Sequence, residues 1–90
     1  MTKNQTHEWR ERTEDGDKRF RRARWDSRQW RFSVLEPDAD DWERIEQPGA
    51  GDYQALRGIL WNKYQRRRVP FKYIEGIDRI LKDEFGVESA

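Results

Sequence analysis

The sequence contains no cysteine and a single histidine, His7. Without cysteine, the chain cannot form a disulfide framework, a thiolate metal site or a cysteine nucleophile. His7 lies close to the start of the chain, where we expect frayed structure and not the fixed geometry that a general base requires. Ser27 and Ser33 have no base nearby in the sequence. The sequence therefore predicts no catalytic residues and a protein that is not an enzyme.

Long apolar runs are also missing, since the longest is Ile59–Trp61. A transmembrane helix needs about 20 apolar residues, and the apolar part of a signal peptide needs about 7–15. We therefore expect no membrane partner and a cytoplasmic protein.

Motifs that hold phosphate or metal are incomplete. Gly49 and Gly51 precede a predicted helix, but the lysine and the spacing of a Walker motif are absent. The acidic run from Asp38 to Glu43 has Trp42 where an EF-hand loop needs a ligand. A helix entry and a solvated acidic loop account for these segments, so the sequence predicts no cofactor and no metal site.

What the chain does contain is charge and aromatic rings. Charged residues make up 41% of the sequence and hydrophobic residues 33%, a balance that favours disorder. Five Trp, four Phe and three Tyr can nevertheless bury a large apolar area. We therefore predict one folded domain over residues 1–90, with a disordered segment at 1–6.

Alternating residues predict a β meander over residues 7–35. Asp15-Gly16 is a strong signal for a two-residue hairpin turn. The second strand is predicted at Lys18–Trp25, and a three-residue loop at 26–28 leads to the third strand at Gln29–Leu35.

The register follows from collecting the apolar side chains on one face. That choice groups Trp9, Phe20, Trp30, Phe32 and Val34, with the stems of Arg22 and Arg24 over their rings. The opposite face then carries Trp25 and five arginines: Arg10, Arg12, Arg19, Arg21 and Arg31.

Residues 36–51 form an acidic connector, in which 38–47 fits either a short helical turn or a fourth, edge strand. Residues 52–86 predict two helices, the first capped by Asp52 and the second ending before Gly86. The predicted fold class is α+β, a three-stranded meander, with a fourth strand as an alternative, packed against a C-terminal helix hairpin.

Charge is distributed in blocks although the net charge is only +1. Residues 18–34 carry seven Lys or Arg against Asp26, whereas residues 35–53 carry seven Asp or Glu against Arg44. Such blocks either neutralise each other inside the fold or form a site for a charged partner.

The arginine face indicates what that partner is. The predicted register sets Arg12 opposite Arg19 and Arg10 opposite Arg21, and like charges across strands destabilise a sheet. Nucleic acid would supply compensating phosphates, with Trp25 stacking on a base. The predicted nucleic-acid-binding residues are Arg10, Arg12, Arg19, Arg21, Trp25 and Arg31, flanked by Arg66, Arg67 and Arg68. An acidic protein partner and internal neutralisation by residues 36–46 are the alternatives.

Three tryptophans do not fit the apolar faces of the predicted elements: Trp25, Trp42 and Trp61. Exposed Trp is typical of interfaces. The alternative function is therefore a protein interaction or assembly module that uses the helix hairpin and these residues, including contact with a second copy. The oligomeric state stays open.

Overall fold

The computed structural model describes residues 5–87, which form a four-stranded antiparallel sheet followed by two helices. This confirms the predicted α+β class, with a β meander in the order β1-β2-β3-β4 and a helix hairpin. The elements are β1 Gln5–Arg12, β2 Lys18–Trp25, β3 Trp30–Leu35, β4 Glu43–Ile45, α1 Ala50–Gln65 and α2 Phe71–Phe85. The chain divides into two compact units after Gln47, one holding the sheet and one the helices.

The strand β4 decides between the two predictions for 38–47, since Glu43–Ile45 within this segment forms a fourth, edge strand and no helical turn is present in it. The prediction of disorder at 1–6 is wrong for Gln5 and Thr6, which belong to β1. The rest of that segment, residues 1–4, lies outside the described residues.

The first hairpin differs from its predicted register by one residue. The amide of Gly16 donates to the carbonyl of Thr13, and Gly16 has a φ of 86°, so the loop has three residues, 14–16. Glu11 therefore lies opposite Arg19, and Glu8 opposite Arg22. These two pairs of opposite charges stabilise the hairpin, whereas Arg12 opposite Lys18 remains a like-charge pair.

The second hairpin also differs, because the Asp26 amide donates to the carbonyl of Gln29 and closes a loop of two residues, 27–28, instead of three. The carboxylate of Asp26 accepts hydrogen bonds from the backbone amides of Arg28 and Gln29, both at 2.8 Å. These bonds fix the turn. In the resulting register Trp25 lies opposite Trp30 and Ala23 opposite Phe32.

The two shifts together rearrange the faces of the sheet. One face, the inner face, carries the buried residues His7, Ala23, Trp30, Phe32 and Val34. Arg19 and Arg21 also lie on the inner face, whereas Phe20 lies on the opposite, outer face. The predicted common face of five arginines is therefore wrong.

The helical unit has its own apolar core, as the helical spacing predicted. Its fully buried residues are Leu56, Leu60, Ile74 and Ile77. The guanidinium of Arg57 on α1 donates two hydrogen bonds to the Asp78 carboxylate on α2, at 2.5 and 3.2 Å. This bidentate ion pair fixes the two helices against each other.

The helix ends are close to their predicted positions. Gly49 is the N-cap of α1, and Asp52, predicted as the cap, lies three residues further on. Its carboxylate accepts a hydrogen bond from the Gly49 amide at 2.9 Å. Gly86 ends α2 in the left-handed conformation, with φ of 67°.

The end of α1 uses an arginine where glycine is usual. Arg67 has a φ of 59°, its amide donates to the carbonyl of Tyr64, and the amide of Arg68 donates to the carbonyl of Lys63. These two bonds form a Schellman motif, whose left-handed position most often holds Gly.

Candidate anion-binding face of the sheet

The outer face of the sheet carries most of its cations. Alternation along the strands places seven basic residues on this face: Arg10, Arg12, Lys18, Arg22, Arg24, Arg31 and Arg44. The rows of the central strands also bring Phe20, Ser33 and Leu35 to it. Every strand contributes a cation, so the positive charge extends across the whole sheet.

Four of these arginines surround a shallow depression. Its lining consists of Arg22, Arg24, Arg31, Ser33 and Arg44. Arg24 lies directly opposite Arg31, and Ser33 lies between Arg22 and Arg44 in neighbouring strands. The paired strands therefore fix the positions from which four guanidinium groups extend around one hydroxyl group.

Two of the four guanidinium groups are oriented by contacts within the sheet unit. Arg22 donates to the Glu8 carboxylate at 3.0 Å, and its guanidinium carbon lies 4.1 Å from the centroid of the Trp42 ring. Arg31 donates from Nε to Asp26 at 2.6 Å. Since a guanidinium group has five N–H donors, both arginines keep donors for an additional anion.

Arg24 and Arg44 form no ion pair with any residue in the range 5–87, and both are exposed. The acidic connector does not neutralise them. Its residues Asp38, Asp40, Asp41, Glu43 and Glu46 likewise form no ion pair within the described part of the chain. The positive charge of the depression is therefore only partly compensated.

Two carboxylates that touch sheet arginines, those of Asp26 and Glu11, have lowered pKa values. Hydrogen bonds from the amides of Gln29 and Arg28, followed by the charge of Arg31, lower the pKa of Asp26 to about 2. Partial burial acts to raise the pKa of Glu11, but Arg21 and Arg19 outweigh it and lower this pKa. Both carboxylates are ionised at neutral pH.

The predicted arginine set is divided between the two faces. Arg10, Arg12 and Arg31 lie on the outer face, as a common site would require. Arg19 and Arg21 lie on the inner face and contact carboxylates of the same chain. Arg19 binds Glu11 and Glu36, and Arg21 binds Glu11.

Trp25 does not join the cationic surface either. Its ring packs against Trp30 with 5.4 Å between ring centroids, on the inner face. Trp42, the second predicted contact residue, is half-buried, and its ring lies against the Arg22 guanidinium.

Sequence reasoning missed five residues of the outer face: Lys18, Phe20, Arg22, Arg24 and Arg44. The missed signal was the pairing of Glu8 and Glu11 with arginines of β2, which favours the observed register. The other signal was Asp26, whose side chain can accept hydrogen bonds from the backbone amides of the turn that follows it.

The remaining predicted residues belong to the helical unit. Trp61 is 38% exposed and forms an aromatic cluster with Tyr64 and Phe71, which are 38% and 40% exposed. Arg66, Arg67 and Arg68 follow in the exposed turn after α1.

His7 is not at a frayed end, contrary to the prediction. It lies in β1, is 3% exposed, and has its ring centroid 5.9 Å from that of Trp30. Within residues 5–87, no cluster of three or more His, Asp or Glu side chains is arranged to hold a metal ion. No helix in the same range is long and apolar enough to cross a membrane.

Comparison with known proteins gives no match to a family model, to a curated protein or to a solved structure.

Proposed function

We propose that the protein is a small non-enzymatic binding module that contacts the phosphates of nucleic acid through the outer face of its sheet. One observation carries this proposal. Arg24 and Arg44 border a depression that also receives Arg22 and Arg31, and neither has a carboxylate partner among the described residues.

Phosphate is the anion that suits this geometry. Guanidinium groups are planar and donate pairs of parallel hydrogen bonds to phosphate oxygens. Arg22 and Arg31 are already oriented, so an anion in the depression would fix only Arg24 and Arg44. The Ser33 hydroxyl provides a further donor at the same place.

A polymer of phosphates suits the surface better than one isolated anion. Arg10, Arg12 and Lys18 extend the positive charge beyond the depression to the β1 and β2 side of the sheet. Arg12 lies directly opposite Lys18, a second like-charge pair that an extended polyanion would compensate.

The test is binding of a labelled 20-nucleotide single strand, measured by fluorescence anisotropy between 50 and 300 mM salt. The double variant Arg24→Ser/Arg44→Ser should lose at least 10-fold in affinity at 50 mM salt. The slope of log affinity against log salt should fall by roughly 1.5, because two phosphate contacts are removed.

The matched control is Arg79→Ser/Lys82→Ser, which removes two exposed cations from α2. It should leave the affinity within twofold of the parent. Absence of binding by the parent at 50 mM salt, or equal losses in both double variants, would overturn the proposal.

A second candidate function rests on the helical unit, as a docking surface for an acidic protein segment with an apolar anchor. The exposed rings of Trp61, Tyr64 and Phe71 offer apolar contact. Arg66–Arg68 supply positive charge beside them. Burial lowers the pKa of Lys63, and the nearby charge of Arg68 lowers it further.

Selection from a displayed peptide library tests the second candidate. Peptides that combine acidic residues with an aromatic or Leu should be enriched, and Trp61→Ala should abolish their binding. Enrichment of sequences without acidic residues would contradict it, and sedimentation that depends on concentration would identify a second copy as the occupant instead.

A further inference from the structure

We infer that the outer face accepts single-stranded rather than double-stranded nucleic acid, with Phe20 as the residue on which a base stacks. The inference rests on the proposed function and adds the form of the ligand. It starts from an aromatic residue that the sequence predicted as core and that the register places among the cations.

Phe20 occupies the middle of the outer row of β2, between Lys18 and Arg22. Side chains two residues apart on a strand are roughly 7 Å apart, so a cation lies on either side of the ring. Phe20 is 37% exposed and lies opposite Arg10 on β1 and Leu35 on β3. The ring is therefore accessible at the centre of a positive surface.

Proteins that bind single-stranded nucleic acid combine a positively charged surface with exposed aromatic rings. The backbone follows the positive charges while unpaired bases stack on the rings. Replacing such a ring with alanine weakens binding by roughly 5- to 150-fold. In a duplex the faces of the bases are already stacked on each other, so Phe20 would have no base to contact.

The width of the sheet also disfavours a duplex. Four strands spaced about 4.8 Å apart place the axes of β1 and β4 roughly 14 Å apart, without their side chains. The major groove of B-DNA is about 12 Å wide and admits a two-stranded ribbon. This sheet would rest on the phosphates of a duplex, and its central Phe20 could not reach the base edges.

A second planar surface lies on the same face. The Arg22 guanidinium lies 4.1 Å from the centroid of the Trp42 ring, in a cation–π contact. A guanidinium plane supported in this way can itself carry an unpaired base. Phe20 and Arg22 are adjacent in the outer row of β2, which offers two neighbouring stacking positions.

The experiment compares a 12-nucleotide DNA strand, the RNA strand of the same sequence, and the DNA duplex at 50 mM salt. The parent should bind the single strands at least 10-fold more tightly than the duplex. Phe20→Leu should weaken single-strand binding about 10-fold and leave duplex binding within twofold. Equal affinity for the DNA and RNA single strands would support recognition through phosphates and bases. Tighter binding of the RNA strand would support the same mode with an additional contact to the 2′-hydroxyl.

Two further variants make the result decisive. Phe20→Tyr keeps a ring and should retain single-strand affinity, which separates stacking from loss of the fold. Trp61→Leu removes an exposed ring from the helical unit and should have no effect. Equal affinity for single strand and duplex, unchanged by Phe20→Leu, would overturn this inference and leave the proposed function intact. Absence of binding to all three ligands would overturn both.

Discussion

Arg24 on β2 lies directly opposite Arg31 on β3, so two cationic side chains are neighbours on the two central strands of the sheet. Arg31 is held by Asp26 at 2.6 Å, whereas Arg24 has no ion pair with residues 5–87. Like charges directly opposite each other destabilise an antiparallel pair. The free protein therefore has a local repulsion that a bound anion would relieve.

Replacing Arg24 should make the free protein more stable. We expect Arg24→Thr to raise the free energy of unfolding by about 0.5 kcal/mol, because the repulsion disappears and threonine suits a strand. Urea denaturation measures this change. Arg10→Thr is the control, since Arg10 lies opposite Phe20 and not opposite a cation. A loss of stability in Arg24→Thr that exceeds that of Arg10→Thr would contradict the expectation.

Replacing Arg21, in contrast, should weaken the fold. Its Nε donates to Glu11 at 2.5 Å, and its side chain is only 21% exposed. We expect Arg21→Thr to reduce the free energy of unfolding by about 1 kcal/mol. The pKa of Glu11 should also rise towards its usual value, which a carboxyl NMR titration can follow. An unchanged Glu11 pKa would show that the pair is absent in solution.

Acid should destabilise the second hairpin between about pH 4 and pH 2. Folding lowers the pKa of Asp26 from 3.8 to about 2, so the folded state favours the ionised carboxylate. Its contribution is fully present above pH 4 and is lost as the pH falls through about 2. We expect unfolding measured from pH 5 to pH 2 to show this loss, and Asp26→Asn to have a weaker dependence on pH. An Asp26 pKa near 3.8 in an NMR titration would refute the prediction.

Glycine at position 67 should stabilise the turn after α1. Arg67 adopts a φ of 59°, which is unfavourable for residues with a Cβ atom. We expect Arg67→Gly to raise the free energy of unfolding by about 1 kcal/mol. Arg66→Gly removes the same charge at a φ of −95° and should not stabilise the protein. Equal effects of the two substitutions in thermal unfolding would indicate that charge, and not backbone conformation, is responsible.

The fold class could be predicted from the sequence because the local signals for strands, turns and helix ends agree with each other. Strand β2 has its predicted bounds, and Pro70 and Gly86 frame α2 as expected. Register was harder, because Asp15-Gly16 is compatible with both a two-residue and a three-residue loop: each needs a positive φ at Gly16. Apolar grouping alone favoured the wrong choice, and the charges of Glu8 and Glu11 decided the observed one.

Which residues form the candidate site depends on the register of the two hairpins. Side chains alternate with a period of two, so a shift of one residue transfers a residue to the other face. Arg19 and Arg21 accordingly moved to the inner face, while Phe20, Arg22 and Arg24 moved to the outer one. A cationic sheet was predictable from the sequence, but the arginines that remain without carboxylates were not.

The exposed acidic loop of the sheet unit has a consequence for behaviour in concentrated solution. Asp38, Asp40 and Asp41 are exposed on the same unit as the outer face. With a net charge of only +1, copies of the chain repel each other weakly, and the loop of one molecule can attract the cations of another. Because salt screens this attraction, we expect a concentrated solution to become turbid at low ionic strength and to clear when salt is added.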